Sequence, residues 1–213
     1  MSEQLQSDFD KLLKTSKFSS EEIMIKKNFL NNFIKNGFPN RKQEDWKFLD
    51  ISQIIKKNIS NLSFFNDYSQ SNKIDSTVLV DGLEHNKIIF INGKIEKIDF
   101  DFEDQNKIEI IDETKKDISF EYENSLIDLN SAFVDKIFKI LIKKNYSLKK
   151  PLIIYHLTND KIKSTNINLR LDFELGENSC LKLIDYFSNN TAKNFINIFY
   201  NFNLEKHSIL KNY

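Results

Sequence analysis

The chain has 213 residues, enough for one sizeable domain or two small ones with a real core, and its 31 Lys+Arg balance its 31 Asp+Glu. That balance excludes a field of one sign of the kind that gathers nucleic acid or an anionic membrane surface. With one cysteine, Cys180, the chain alone builds neither an internal disulfide nor a thiolate metal cluster, which fits a reducing cytosol.

No run approaches the roughly 20 apolar residues that a spanning helix needs, and the start MSEQLQSDFD lacks a basic, apolar leader, so a cytoplasmic protein is expected. Leu5, Phe9, Leu12 and Leu13 predict a short amphipathic helix. Ser19 and Glu22 form a capping box that opens a second helix, with the stripe Ile23, Leu30, Phe33 and Ile34. These spacings signal core contact, not a cofactor box.

The stretch Gly37–Asp50, GFPNRKQEDWKFLD, holds the only Trp and one of 2 prolines. Gly37 suits the left-handed residue that closes a helix, and Pro39 lacks the amide that would continue one. Asn40 with Gln43 reads as a loose capping box for a short helix through Trp46, with Glu44 and Asp45 in its first turn. Trp46 and Leu49 are three apart, which predicts a buried aromatic anchor docked on the preceding helix. Ile51, Ile54 and Ile55 extend helical character, and NISNLSFFNDYSQSNKIDS reads as a loop or short linker.

From Thr77 the pattern changes. VLVDG and KIIFINGKIEKI are β-branched runs broken at Asp81-Gly82 and Asn92-Gly93, the second pair being the strongest hairpin signal in the chain. KIEIID continues as a strand, and the acidic stretch ISFEYENSLIDLNSAFVD holds a helix or helical turn. From Phe138 nearly to the end, strands follow one another across short turns such as Lys-Lys-Asn, Gly-Glu-Asn and Asn-Asn. Ile167, Leu169, Leu171, Phe173 and Leu175 give the cleanest alternation. With no helices between them a doubly wound sheet is disfavoured, leaving a β-sandwich or a stacked solenoid.

Neither of the phosphate-cradling patterns GxxxxGK[ST] and GxGxxG occurs. His85, His156 and His207 are scattered without metal-ligand spacing and read as structural or solvated. Cys180 reads as packing at a strand start, since no basic residue adjoins it closely. Carboxylate pairs such as Glu44-Asp45 and Asp99/Asp101 read as solvated faces. No catalytic, cofactor-binding or metal-ligating residue is therefore assigned, and the expected role is a scaffold, not an enzyme.

GFPNRKQEDWKFLDIS resembles a characteristic segment of the SufD branch of the SufB/SufD family of iron–sulfur cluster assembly proteins. Gly37, Phe38, Pro39, Arg41, Lys42, Glu44, Asp45, Trp46 and Lys47 all match its pattern. IIFINGKI, LNSAF at Leu129–Phe133, LKKPLIIYHLT and LRLDFELGENSCLKLID resemble later stretches of the family in the same order, although Lys136-Ile137 stands where the family usually has Asp-Gly. The resemblance covers nearly the whole chain but only about the first half of a family member.

It implies a mainly β protein with α: an N-terminal α-helical region, 1–75, followed over 76–213 by the first coils of a right-handed parallel β-helix. The solenoid reading gains over the sandwich. It also implies a non-catalytic subunit of the SUF complex acting with SufB and the ATPase SufC, where the iron–sulfur cluster is assembled in the complex and no cofactor is held by this chain alone. Neither nucleic acid nor membrane is an expected partner. The chain ends within an alternating strand, so it reads as a fragment with an exposed solenoid edge open to self-association. The alternatives are a β-solenoid enzyme acting on polysaccharide and a free-standing protein-interaction module.

Overall fold

A computed structural model describes residues 2–59, 61–66, 79–113, 124–188 and 193–213. Its content is mixed: four α-helices and two mixed β-sheets. Helix α1 (Ser2–Thr15) buries Leu5, Phe9 and Leu12, the stripe that the sequence marks. Helix α2 (Ser20–Asn36) opens on the predicted capping box: the Ser19 hydroxyl accepts from the Glu22 amide, and the Glu22 carboxylate accepts from the Ser19 amide. It closes at Gly37, whose φ of 67° places it in left-handed space, with its amide bonded to Phe33 O.

The stretch after Gly37 differs from expectation. The Asn40 side chain does not cap a helix; it accepts from the Lys42 amide in a local turn. Only a single 3₁₀ turn, Glu44–Trp46, follows. The next true helix, α3 (Ile51–Asn58), starts where the Asp50 carboxylate accepts from the Gln53 amide, a stronger cap further along the chain. Trp46 is only half-buried and Phe48 is 85% exposed. The buried anchor of this stretch is Phe38, packed edge-on to Phe33 at 5.0 Å and to Phe195 at 5.7 Å.

The stretch read as a linker is structural in its described part. Phe64 is buried among Phe33, Phe38 and Phe133, and Ser63 pairs with Thr165. Residues 60 and 67–76 of that stretch, like 118–123 of the acidic one and 189–190 of the Asn-Asn turn, lie outside the described residues. Residues 79–80 of the VLVDG run are irregular.

The Asn92-Gly93 turn joins β1 (Asn86–Ile91) and β2 (Lys94–Asp99) antiparallel, with φ of 53° and 85° at its two central residues, as a primed turn requires. β3 (Ile108–Glu113) follows, then helix α4 (Ser125–Phe133), then β4 (Ile137–Ile142), which pairs antiparallel with β3. The remaining strands are β5 (Leu152–Leu157), β6 (Asn166–Leu175), β7 (Cys180–Phe187), β8 (Phe195–Leu204) and β9 (Ile209–Asn212). From β4 on, successive strands fall alternately in the two sheets. β4, β6 and β8 pair in parallel in the four-stranded sheet β3-β4-β6-β8, and β1, β5, β7 and β9 do so in the five-stranded sheet β2-β1-β5-β7-β9.

The turns that carry the chain from one sheet to the other stack in register. Asn145, Asn178 and His207 occupy equivalent left-handed positions, with φ of 56°, 56° and 59°. The Asn145 amide bonds to Glu177 O at 2.7 Å, the Asn178 amide to Lys206 O at 3.1 Å, and the Asn178 side-chain amide to Asn145 Oδ1 at 3.0 Å. Gly176 is required there: a Cβ at its position would lie 2.6 Å from the backbone nitrogen of Lys144.

Three apolar clusters result. Between the sheets lie Ile88, Phe90, Ile140, Leu152, Ile154, Leu171, Phe173 and Leu183 among others. Tyr155, Ile89 and Ile153 form a second cluster on the far face of the five-stranded sheet. The third joins α1, α2 and α3 to Leu129, Ala132 and Phe133 of α4, so the helical layer draws elements from both sides of residue 76. Among the described residues, no helix is long and apolar enough to cross a membrane.

Candidate functional site

Alternation places inner residues of β5, β7 and β8 between the sheets, and three of these are polar. His156 pairs with Phe90 on one neighbouring strand and Phe187 on the other, and its ring is stacked between theirs, at 5.9 Å and 4.8 Å. This sandwich fixes the ring plane, so His156 Nε2 points to Asp185 Oδ1 at 2.9 Å and to Tyr200 Oη at 3.0 Å. The Tyr200 hydroxyl donates to the same Asp185 oxygen. Since an ionised carboxylate only accepts, His156 must carry its proton on Nε2 in this arrangement. Burial, then the neighbouring Asp185 charge, pushes the Tyr200 phenol above its ordinary value.

His156 is 3% exposed, whereas Asp185 and Tyr200 are partly open to solvent. Phe173 and Phe202 flank Tyr200, at 6.0 Å and 5.8 Å from ring to ring. An imidazole, a carboxylate and a phenol thus converge inside an aromatic and aliphatic surround. Sequence reasoning read His156 as structural or solvated and did not connect it with Asp185 or Tyr200. Equal inward parity on the strands was a usable signal for His156 and Asp185; the facing sheet that supplies Tyr200 was not visible.

A second polar assembly lies on the outer face of the four-stranded sheet, beneath the helical layer. Asn130 of α4 donates to Leu169 O at 3.0 Å and Asn197 O at 2.8 Å; Asn197 donates to Leu126 O at 2.9 Å and Asn168 Oδ1 at 3.2 Å. Arg170 bonds Asp172 through two nitrogens at 2.9 and 3.1 Å, all of it buried, and its guanidinium lies over the Phe199 ring. Lys26 of α2, 5% exposed, donates to Ser131 O and Val134 O at the C-terminal end of α4, where carbonyls lack helical partners. Burial lowers its ammonium to about 8, against the pull of Asp135 and Glu22 and with the push of Arg170.

These groups hold structure together. So do Asp8 and Glu103, in each of which burial raises the carboxyl but is outweighed by hydrogen bonds. Asp8 accepts from Lys11, Gln4 and the Phe64 amide, and Glu103 from Tyr146, Asn86 and the amides of Lys149 and Lys150.

The other residues weighed from the sequence are placed apart. His85 Nδ1 lies 2.6 Å from Leu83 O and Nε2 lies 2.7 Å from Tyr155 Oη; His207 is exposed in its turn; Cys180 is half-buried. Glu44 and Asp45 are exposed, as read, but Asp99 is paired with Lys87 and Lys97. An open cleft of about 530 Å³ lies between β2, β3 and the α4–β4 connection, with Ile95, Ile98, Ile110, Val134, Phe138 and Leu169 as its apolar lining. Among the described residues, no group of three His, Cys, Asp or Glu side chains is placed to hold a metal.

No protein-family model matches the chain, and no curated protein matches it. The fold defines the class: a mixed α/β protein, in which helices cover one face of a two-sheet stack.

Proposed function

We propose that this chain is a non-catalytic scaffold subunit of the SufD type, acting with SufB and the ATPase SufC in iron–sulfur cluster assembly, and that β4 to β9 are opening coils of a right-handed parallel β-helix. The solenoid reading is supported by the alternation of successive strands between two sheets, by parallel pairing two strands apart, and by the stacked turns at Asn145, Asn178 and His207.

One observation carries the scaffold reading. β4, β6 and β8, and likewise β5, β7 and β9, stack in parallel with their connecting turns in register, a repeat architecture that offers partners extended surfaces. The motif Gly37–Lys47 supplies the family assignment.

The test is co-expression with SufB and SufC followed by affinity purification. Retention of either subunit through a high-salt wash is expected, and loss of both overturns the assignment.

A further inference from the structure

We infer that the cleft between β2, β3 and the α4–β4 connection binds a free amphipathic carboxylate, an apolar chain ending in one anionic group, a role that goes beyond the scaffold reading. Its volume of about 530 Å³ falls within the range of about 300–1,000 Å³ typical of small-molecule sites. Among the described residues β2 and β3 are edge strands of the two sheets, so the inter-sheet core runs out between them. Phe138 and Leu169 belong to that core and Ile95 and Ile110 pack against it, yet all four line the open cleft. Ile98, also in the lining, is 44% exposed. Apolar surface left in water at the end of a core is what an alkyl chain covers.

The charged lining sets the head group. Lys94, Asp112, Asp135 and Lys136 border the cleft. Lys136 pairs with Asp112 at 2.5 Å, while Asp135 accepts from the Ser16 hydroxyl at 2.5 Å and lies in the field of the buried Lys26 ammonium. Both carboxylates are therefore already matched. Lys94, exposed at the start of β2, has no carboxylate partner among the described residues and is the charge left over. Asn168, 4% exposed, has its side-chain oxygen taken up by Asn197 at 3.2 Å, which leaves its side-chain nitrogen as a donor in the lining. An ammonium and an amide N–H both call for an acceptor, and a carboxylate supplies two acceptor oxygens on one negative charge.

The two parts of the ligand contribute unequally. Each methylene moved from water onto the apolar lining is worth about fourfold in affinity. An ion pair as exposed as one to Lys94 adds at most about fivefold in all. The chain therefore supplies most of the affinity, and Lys94 selects the sign of the head group.

The experiment titrates the purified full chain, labelled at its isoleucine δ1-methyl groups for NMR, with octanoate, decanoate and dodecanoate below their micelle concentrations. Saturable shifts are expected at Ile95, Ile98 and Ile110 of the wild-type chain, with affinity rising about 15-fold for each two carbons added. Ile98→Asp, at a partly exposed position, is expected to weaken decanoate at least about tenfold, because it puts a like charge in the path of the chain. Lys94→Glu is expected to weaken octanoate about threefold to tenfold and to leave octanol within about twofold, a split that a merely structural role would not produce. Circular dichroism checks that both variants fold. Absence of saturable shifts at these isoleucines, an affinity insensitive to chain length, unchanged decanoate affinity in folded Ile98→Asp, or equal loss of octanoate and octanol in Lys94→Glu overturns the site. So does adsorption of the chain to vesicles of anionic phospholipid with no response to the free carboxylates, which would make the cleft part of a membrane contact.

Discussion

Along β6, Ile167, Leu169, Leu171, Phe173 and Leu175 face the other sheet, while Asn166, Asn168, Arg170 and Asp172 on the opposite face are also buried. The inner face is buried by apolar packing, into which the His156, Asp185 and Tyr200 cluster intrudes. The outer face is buried beneath α4, on which α2 packs, by hydrogen bonds and an ion pair. Alternation on this strand therefore marks the inside and outside of the stack, not burial and exposure. Its outer polar residues fix how the helical layer sits, because a buried amide or guanidinium is tolerated only where partners meet it.

The largest effects should come from the apolar face. Phe173→Ala, and Phe38→Ala in the helical core, are each expected to cost about 3–5 kcal/mol in denaturant unfolding, through lost transfer energy and a residual cavity. A loss under about 1 kcal/mol for Phe173→Ala would place it outside a close-packed interior.

The seam should respond less but specifically. Asn130→Ala leaves Leu169 O and Asn197 O without that donor and is expected to cost about 1–3 kcal/mol. Hydrogen exchange is the sharper readout: protection should fall first in α4, and an unchanged α4 would mean that Asn130 does not hold the layers together.

Lys26 tests the seam through pH. Its folded value of about 8 lies below its ordinary 10.5, so between these values the unfolded chain binds more protons. Stability from this group therefore rises as pH goes from about 8 to 10.5. Lys26→Met, which keeps the apolar stem, should flatten that rise relative to wild type. Parallel pH profiles of the two proteins would show that Lys26 is not charged and buried as placed.

The smallest effect is assigned to Trp46→Ala, at about 1 kcal/mol or less, because Trp46 is only half-buried and Phe38 holds the anchoring position. A loss comparable to that of Phe38→Ala would restore Trp46 as the anchor.

Much of the local structure was legible in residues. The capping box Ser19/Glu22, the helix end at Gly37, the Asn92-Gly93 hairpin and the inner row of β6 depend on neighbours a few positions apart, where backbone sterics and hydrogen-bond reach decide the outcome. Trp46 was misread because its neighbours allow either a short helix or a turn. The choice went to the turn when Asp50 capped the later helix and Phe38 filled the aromatic niche. Phe64 was read as loop for the same kind of reason: its partners Phe33, Phe38 and Phe133 are distant in sequence.

By itself, then, the sequence determined the element ends at Ser19/Glu22, Gly37 and Asn92-Gly93 and which strand residues share a face, since these follow from spacing and side-chain chemistry along the chain. Only the tertiary structure decided that Asn166, Asn168, Arg170 and Asp172 are covered, that Lys26 ends on the carbonyls of α4, and that His156, Asp185 and Tyr200 meet. Each of those depends on which sheet or helix packs opposite, and the burial energy that selects the partner is summed over contacts far apart in the chain.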